Sequence, residues 1–200
     1  MSEPPPPSAA VVWERRWRDP RARAPWSIAE PAVRETAARL LPARGVRRVL
    51  DLGCGSGRHA LLFARAGFEV AACDPAPSAL ALCRAAAAEE GLSVRLAAAA
   101  MTALPYPDAA FDHVLAFNVL DQAAPVEVRR AVGEVRRVLA PGGLVHATMR
   151  STRHAGFGIG REVAPATFMP AADDHPHLYS DARGLLALFA GFAPLELADR

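Results

Sequence analysis

The chain alternates between short apolar runs and longer amphipathic stretches. The apolar runs are bounded by Gly, Pro or Asp, which is typical of buried strands, and between them apolar residues recur with a period near 3.6. This pattern predicts strands at 47–52, 68–73, 93–97, 112–117 and 144–149, and helices at 58–66, 77–90 and 126–139. Strands that alternate with helices favour a parallel sheet covered on both faces, so we expect a doubly wound, three-layer α/β fold.

The segments on either side of this core give weaker signals. The pattern predicts a helix at 32–41, a final helix at 181–190 and a last strand at 194–198. Residues 150–180 lack periodicity and are rich in Gly and Pro, so we expect a long loop of the kind that often serves as a lid or acceptor-binding segment. Residues 1–10 consist largely of Pro, Ser and Ala, which predicts disorder.

The N-terminal region combines tryptophan with arginine. Trp13 and Trp17 stand at helical spacing among several arginines, and Trp26 follows Pro25. One interpretation is an amphipathic helix that caps a site, with Trp26 closing over the ligand. The other is a basic, aromatic arm for RNA. We therefore divide the chain into a flexible arm and cap at 1–30 and one domain at 31–200.

The amino-acid composition excludes some kinds of catalytic and binding site. A length of 200 residues fits one domain. All 23 basic residues are arginine, which excludes a lysine Schiff base and a P-loop. The net charge of +2 is too small to indicate nucleic acid by itself.

The cysteine content and the hydropathy of the sequence indicate the cellular compartment of the protein. The three cysteines form no CxxC pair, so we expect neither a metal site nor a disulfide framework, and a reducing compartment fits. The sequence shows no signal-peptide pattern and no apolar run of the roughly 20 residues that a membrane span needs. We therefore expect a cytoplasmic protein without membrane association.

The strongest chemical signal is a glycine-rich turn after the first strand. It reads Gly53-Cys54-Gly55-Ser56-Gly57, and the next strand ends in Asp74. Such glycines let a backbone approach a ligand closely, and a strand-end acid can accept hydrogen bonds from the hydroxyls of a ribose. The spacing departs from the GxGxxG fingerprint of dinucleotide sites, so a nucleoside without pyrophosphate fits better than a nicotinamide cofactor.

Four landmarks in order resemble the class I S-adenosylmethionine-dependent methyltransferases. They are 49–57, Asp74, 104–112 with its Leu-Pro and Phe-Asp pairs, and 139–143. Two further strings, 57–60 and 176–179, are similar to the small tellurite-resistance-type branch. The resemblance spans roughly residues 46–150 and implies a Rossmann-like fold, S-adenosyl-L-methionine as cofactor and methyl transfer by in-line displacement to a small-molecule acceptor.

The resemblance also implies residue roles. Asp51 would position the amino end of the cofactor, the glycine loop its methionine part, and Asp74 its ribose. The full set of expected cofactor-binding residues is Trp26, Asp51, Gly53, Cys54, Gly55, Gly57, Arg58, Asp74, Pro75, Ala100, Met101 and Asn118. His177 and Tyr179, in the segment expected to meet the acceptor, are the candidate catalytic residues, and we expect no metal.

The sequence departs from the family in three places. Ala100 stands where many relatives have an acid that bonds adenine, and Asp121-Gln122 stands where the family often has a histidine. Only one candidate strand follows the last helix, so we expect the C-terminal hairpin of the family sheet to be incomplete. Three alternatives therefore stay open: methylation of RNA or protein through the arm, a non-catalytic S-adenosylmethionine-binding domain, and a nicotinamide-dependent oxidoreductase. The sequence leaves the acceptor and the oligomeric state undetermined.

Overall fold

A five-stranded parallel sheet forms the centre of the molecule. The computed structural model describes residues 9–171 and 175–199. The strands are β1 (Arg48–Leu52), β2 (Glu69–Asp74), β3 (Val94–Ala98), β4 (Phe111–Ala116) and β5 (Leu139–Ala147). Their order is β3-β2-β1-β4-β5 and every pairing is parallel. This order reverses between β1 and β4, so the chain is doubly wound as expected, and ligands in such sheets bind beyond the carboxyl ends at that point.

Helices cover both faces of the sheet. The helix α7 (Pro125–Val138) packs one apolar side on β1 and β4, and α8 (Ala182–Leu188) lies on the same face. The opposite face carries α5 (Arg58–Arg65) and α6 (Pro77–Glu89). The three-layer, Rossmann-like arrangement is therefore confirmed. Among the residues described, no helix has both the length and the apolar character needed to cross a membrane.

The N-terminal segment folds as a series of short helices. These are α1 (Ala9–Arg18), α2 (Pro20–Arg23), a 3-10 turn (Ala24–Trp26), α3 (Pro31–Glu35), a π-helical turn (Thr36–Leu40) and α4 (Leu41–Ala43). Asp19 separates the first two because its carboxylate accepts the Arg21 N–H at 2.8 Å and caps α2. Of the stretch for which we expected disorder, residues 1–8 lie outside the described part, and Ala9 and Ala10 begin α1.

The expected long loop at 150–180 is wrong. The structure forms a second sheet there, from β6 (Arg150–Ser151), β7 (Arg161–Ala164), β8 (Thr167–Met169) and β9 (His177–Ser180), in the order β6-β9-β8-β7. Each strand has two to four residues. Strands this short show no alternation that a sequence pattern could reveal. The sheet carries both candidate catalytic residues on β9.

The expected last strand at 194–198 is also wrong. In the described part of the chain this segment is irregular, and β5 pairs only with β4. A strand needs a hydrogen-bonded neighbour, and none of the described strands pairs with this segment. Leu195 and Leu197 keep the alternating pattern of a strand but are 62% and 51% exposed. The apolar residues of this segment therefore alternate as in a strand, but the segment does not form one.

Candidate functional site

The glycine loop lies at the carboxyl end of β1, beside the point where the strand order reverses. Gly53, Gly55 and Gly57 have φ angles of +67°, +54° and +89°, in the region that favours glycine. The N–H groups of Gly53 and Cys54 donate to the Cys73 carbonyl at 2.8 and 3.0 Å. These bonds tie the loop to the end of β2. Gly57 then leads directly into α5.

Asp74, at the end of β2, holds the glycine loop. Its Oδ2 accepts the Gly55 N–H and its Oδ1 accepts the Ala76 N–H, both at 2.9 Å. Burial raises the pKa of Asp74, and the two N–H donors oppose that rise. Each carboxylate oxygen has a second lone pair, so Asp74 can still accept a hydrogen bond from a ligand hydroxyl.

Asp51, in β1, carries an unsatisfied oxygen. Its Oδ2 is buried and has no hydrogen-bond partner among the described residues. Burial raises the pKa of Asp51 to about 7, while the nearby Arg58 guanidinium and a backbone N–H at Ala60 lower it. A buried carboxylate oxygen without a donor is costly, so Oδ2 of Asp51 is suited to a cationic ligand group placed against the loop.

The start of α5 anchors the N-terminal segment. The Arg58 guanidinium donates to the Ile28 carbonyl at 3.0 Å, pairs with Glu30 at 3.3 Å and lies 5.5 Å above the Trp26 ring. His59 Nε2 accepts the Glu30 N–H at 3.2 Å. Burial lowers the pKa of His59 to about 3, so this imidazole is neutral at pH 7. In this structure Arg58 therefore positions the residues that precede α3.

The tryptophan that covers the glycine loop is Trp17, which the sequence did not single out for this role. A Cβ at Gly55 would overlap the Trp17 indole. Trp26 packs edge-on against Trp13, with ring centroids 5.4 Å apart, and lines the cavity at the end of β4. Trp26 also packs with the cluster of Trp17, Ala76 and Ala79, and its contact with the cofactor stays a prediction.

The turn after β4 links the N-terminal helices to the sheet. Asn118 has a φ of +57°, and its N–H donates to Thr148 Oγ1 at 2.7 Å while its Oδ1 accepts from the same hydroxyl at 3.1 Å. The Gln122 amide donates to the Asn118 carbonyl and accepts the Trp13 indole N–H. Val119 covers Gly53, whose added Cβ would overlap it. The sequence placed Trp13 only in the capping helix and did not predict its bond to Gln122, because the two residues are 109 positions apart.

His177 and Tyr179 occupy different environments although both are buried on β9. His177 lines the same cavity as Asn118 and Gln122, and its Nδ1 is 3.9 Å from the Asp121 carboxylate. Asp121 also accepts from Arg150 Nε at 3.0 Å. Tyr179 packs against Phe157 and Phe168, and its buried hydroxyl has no hydrogen-bond partner among the described residues. Only His177 therefore faces the cavity.

The remaining predicted residues lie at the ends of β2 and β3 and within the glycine loop. Pro75 and Ala100 are exposed at the ends of β2 and β3, and Met101 is partly buried against the core. Cys54 is buried with its Sγ 3.6 Å from the Gly55 carbonyl oxygen. Across residues 9–171 and 175–199, no group of three or more His, Cys, Asp or Glu side chains could hold a metal ion. Asp173 and Asp174 lie outside the described residues.

Comparison with known proteins finds methyltransferases among the proteins similar to this chain. Residues 49–143 match the family described as "Methyltransferase domain". Demethylmenaquinone methyltransferase from Thermus thermophilus is 42% identical over 113 residues, which cover 55% of this chain and 50% of the relative. Ubiquinone biosynthesis O-methyltransferase from Methylocella silvestris is 39% identical over 123 residues, 59% of this chain and 46% of the relative. The chain thus spans about half the length of these relatives.

Solved structures agree with the fold. The 1,6-didemethyltoxoflavin-N1-methyltransferase of Burkholderia thailandensis, solved with its substrate and S-adenosylhomocysteine, has a TM-score of 0.68 at 23% identity and covers 94% of this chain and 80% of its own. The cyclase SpnF has a TM-score of 0.67 at 25% identity and covers 93% and 72%. Residues 49–143 therefore match a methyltransferase domain, and the chain shares its fold with structures of the class I S-adenosylmethionine-dependent methyltransferases.

The residues at the loop fit the cofactor of this class. Val119, Trp17 and Cys83 occupy the space where side chains at Gly53, Gly55 and Gly57 would lie, so only glycine fits the loop. Asp51 offers an unpartnered oxygen at the base of the loop. Asp74 lies next to the same loop, because its carboxylate accepts the Gly55 N–H. These groups match an amino acid ammonium and a ribose respectively. The Trp17 indole covers part of this surface.

Proposed function

We propose that this protein transfers a methyl group from S-adenosylmethionine to a small-molecule acceptor. The observation that carries the proposal is the positive-φ glycine loop lying between two buried aspartates, Asp51 and Asp74, at the carboxyl ends of parallel strands. The similarity to methyltransferases that act on quinone precursors and on 1,6-didemethyltoxoflavin supports the transfer activity and a small acceptor.

The cofactor would be held by three groups of atoms. Asp51 would pair with its ammonium, the glycine loop would contact its methionine part, and Asp74 would accept from the ribose hydroxyls. When bound, S-adenosylmethionine supplies an activated methyl on a sulfonium. The protein then needs mainly to hold the reactants close and aligned, which contributes roughly 7–11 kcal/mol in well-oriented systems.

The acceptor would enter the cavity beside the end of β4. The part of the cavity at the end of β4 is lined by Trp13, Trp26, Asn118 and His177, and the rest of it runs along β5 and residues 181–199. We propose that His177 accepts a proton when the acceptor arrives protonated, with Asp121 nearby to orient the imidazole. The position of Tyr179 in the aromatic cluster supports a structural role for that residue.

Two alternative functions remain testable. The packing of α1 on the domain, with Glu14 bonded to Ser78, supports a cap more than an extended RNA-binding arm. A function other than methyl transfer is the second alternative, because SpnF, which shares the fold, is named as a [4+2]-cyclase. For location we propose the cytoplasm, on the basis of three free, buried cysteines.

The direct test is methyl transfer itself. The protein is incubated with S-adenosylmethionine and a panel of phenols, quinone precursors, amines, thiols and chalcogen anions, and products are followed by mass spectrometry. Formation of S-adenosylhomocysteine together with an acceptor heavier by one methylene supports the proposal. Cofactor binding without turnover on any acceptor would support the non-catalytic alternative. Transfer only to RNA or protein would contradict the small-molecule assignment.

A further inference from the structure

The glycine loop already has an occupant from the same chain. Trp17, on α1, is 6% exposed and lies against Gly55, on the side where a Cβ would overlap the benzene ring of the indole. It also packs on Ala76 and Ala79 at the start of α6, next to Asp74. The indole therefore fills the surface between the loop after β1 and the loop after β2.

Several bonds hold α1 in this position. The Glu14 carboxylate accepts the Ser78 N–H at 3.0 Å and the Ser78 hydroxyl at 2.6 Å. These bonds lower the pKa of Glu14. Arg23 Nη1 donates to the Trp17 carbonyl at 3.0 Å, and the Trp13 indole donates to Gln122. The helix α1 thus contacts the loops after β1, β2 and β4 together.

A ligand in contact with Gly55 and Asp74 needs the surface that Trp17 covers. We propose that Trp17 is an internal competitor for the cofactor loop, and that α1 must move outward before S-adenosylmethionine can bind. The inference rests on the proposed function, since it assigns the regulation of the same site. Cofactor entry is then limited by the opening of α1, and the closed helix shields the loop when cofactor is scarce.

This proposal has two consequences for cofactor binding, one for the dissociation constant and one for the association rate. The apparent dissociation constant equals the intrinsic one divided by the fraction of molecules with α1 open, so destabilising the closed state tightens binding. If opening precedes binding, the observed association rate reaches a plateau at high ligand concentration, and the plateau equals the opening rate.

The experiment compares the wild type with Trp17→Ala by calorimetry, with S-adenosylhomocysteine as the probe. We expect Trp17→Ala to bind at least about fivefold more tightly, because the competitor is gone. Val11→Ala is the matched control, since Val11 lies on the same helix and is 60% exposed. Its affinity should equal that of the wild type. Circular dichroism establishes that each variant is folded before titration.

A second variant tests opening without changing the indole. Glu14→Gln weakens the attachment of α1 to Ser78, and we expect tighter binding and a higher rate plateau in stopped-flow fluorescence. Unchanged or weaker binding by both variants, with the wild type binding normally, would overturn this inference alone and make Trp17 a packing residue or a cofactor contact. If the wild type and both variants bind no S-adenosylhomocysteine, the proposed cofactor site fails, and this inference fails with it.

Discussion

Two buried aspartates at the ends of neighbouring strands have different partners, and their partners define their roles. Asp74 accepts two backbone N–H groups and shapes the loop. Asp51 has an oxygen without a donor, and burial raises its pKa to about 7. The first residue is therefore preorganised by the protein itself, whereas the second is completed only by a ligand.

At Asp74 we predict a loss of cofactor affinity on substitution. Asp74→Asn keeps the size of the side chain but removes the charge, and charge-assisted hydrogen bonds contribute about 1.5–3 kcal/mol each. We expect S-adenosylhomocysteine to bind at least tenfold more weakly, a change of about 1.4 kcal/mol. Asp108→Asn, on a side chain that is 80% exposed, is the control. Equal affinities for both variants by calorimetry would show that Asp74 only closes the loop.

At Asp51 we predict a pH-dependent gain in stability on substitution. The folded-state pKa of about 7 exceeds the ordinary value of 3.8, so the stability that Asp51 contributes is present below pH 4 and is lost as the pH rises through 7. Asp51→Asn removes this loss. The free energy of unfolding of the variant, relative to wild type, should therefore increase from pH 4 to pH 8 in urea titrations without ligand. A difference that is constant with pH would contradict the raised pKa.

At the scale of the elements, three strands and three helices were predictable because each has a buried run or face; they are β1, β2, β4, α5, α6 and α7. The strands β3 and β5 have no fully buried residue and were recognised from their apolar runs between turn residues. The apolar positions of α7, Val128, Val132 and Val135, are all buried as the 3.6 period requires. The small sheet escaped prediction because its strands are two to four residues long. Trp17 escaped because helical spacing marks it for burial without saying what it covers.

The second sheet should serve the acceptor and leave the cofactor unaffected. We predict that His177→Gln lowers the rate of methyl transfer by at least about tenfold. A positioned proton acceptor contributes about a hundredfold or more when proton transfer limits the rate, and less when another step limits it. Affinity for S-adenosylhomocysteine should stay within threefold, about 0.65 kcal/mol. His154→Gln, on an exposed side chain, is the matched control. Normal turnover by His177→Gln would place acceptor recognition elsewhere.

At the scale of the whole molecule, the carboxyl edge of the sheet gathers what the sequence holds far apart. Residues 51–57, Asp74 and the turn after β4 meet there, and α1 lies across them. The order of motifs allowed the cofactor side of this arrangement to be predicted. On the other side, the sequence singled out Trp26 and His177, which line the cavity. It did not predict how α1 and the small sheet pack around them, because no local pattern encodes that packing.

The central claim is that the glycine loop binds S-adenosylmethionine rather than a nicotinamide dinucleotide. Calorimetric titration of the wild type with S-adenosylhomocysteine and with NAD, under identical conditions, tests it most directly. We predict saturable binding of S-adenosylhomocysteine and none of NAD, with a corresponding stabilisation of about 2.7 kcal/mol at a hundredfold excess over the dissociation constant. Tighter binding of NAD than of S-adenosylhomocysteine would contradict the account.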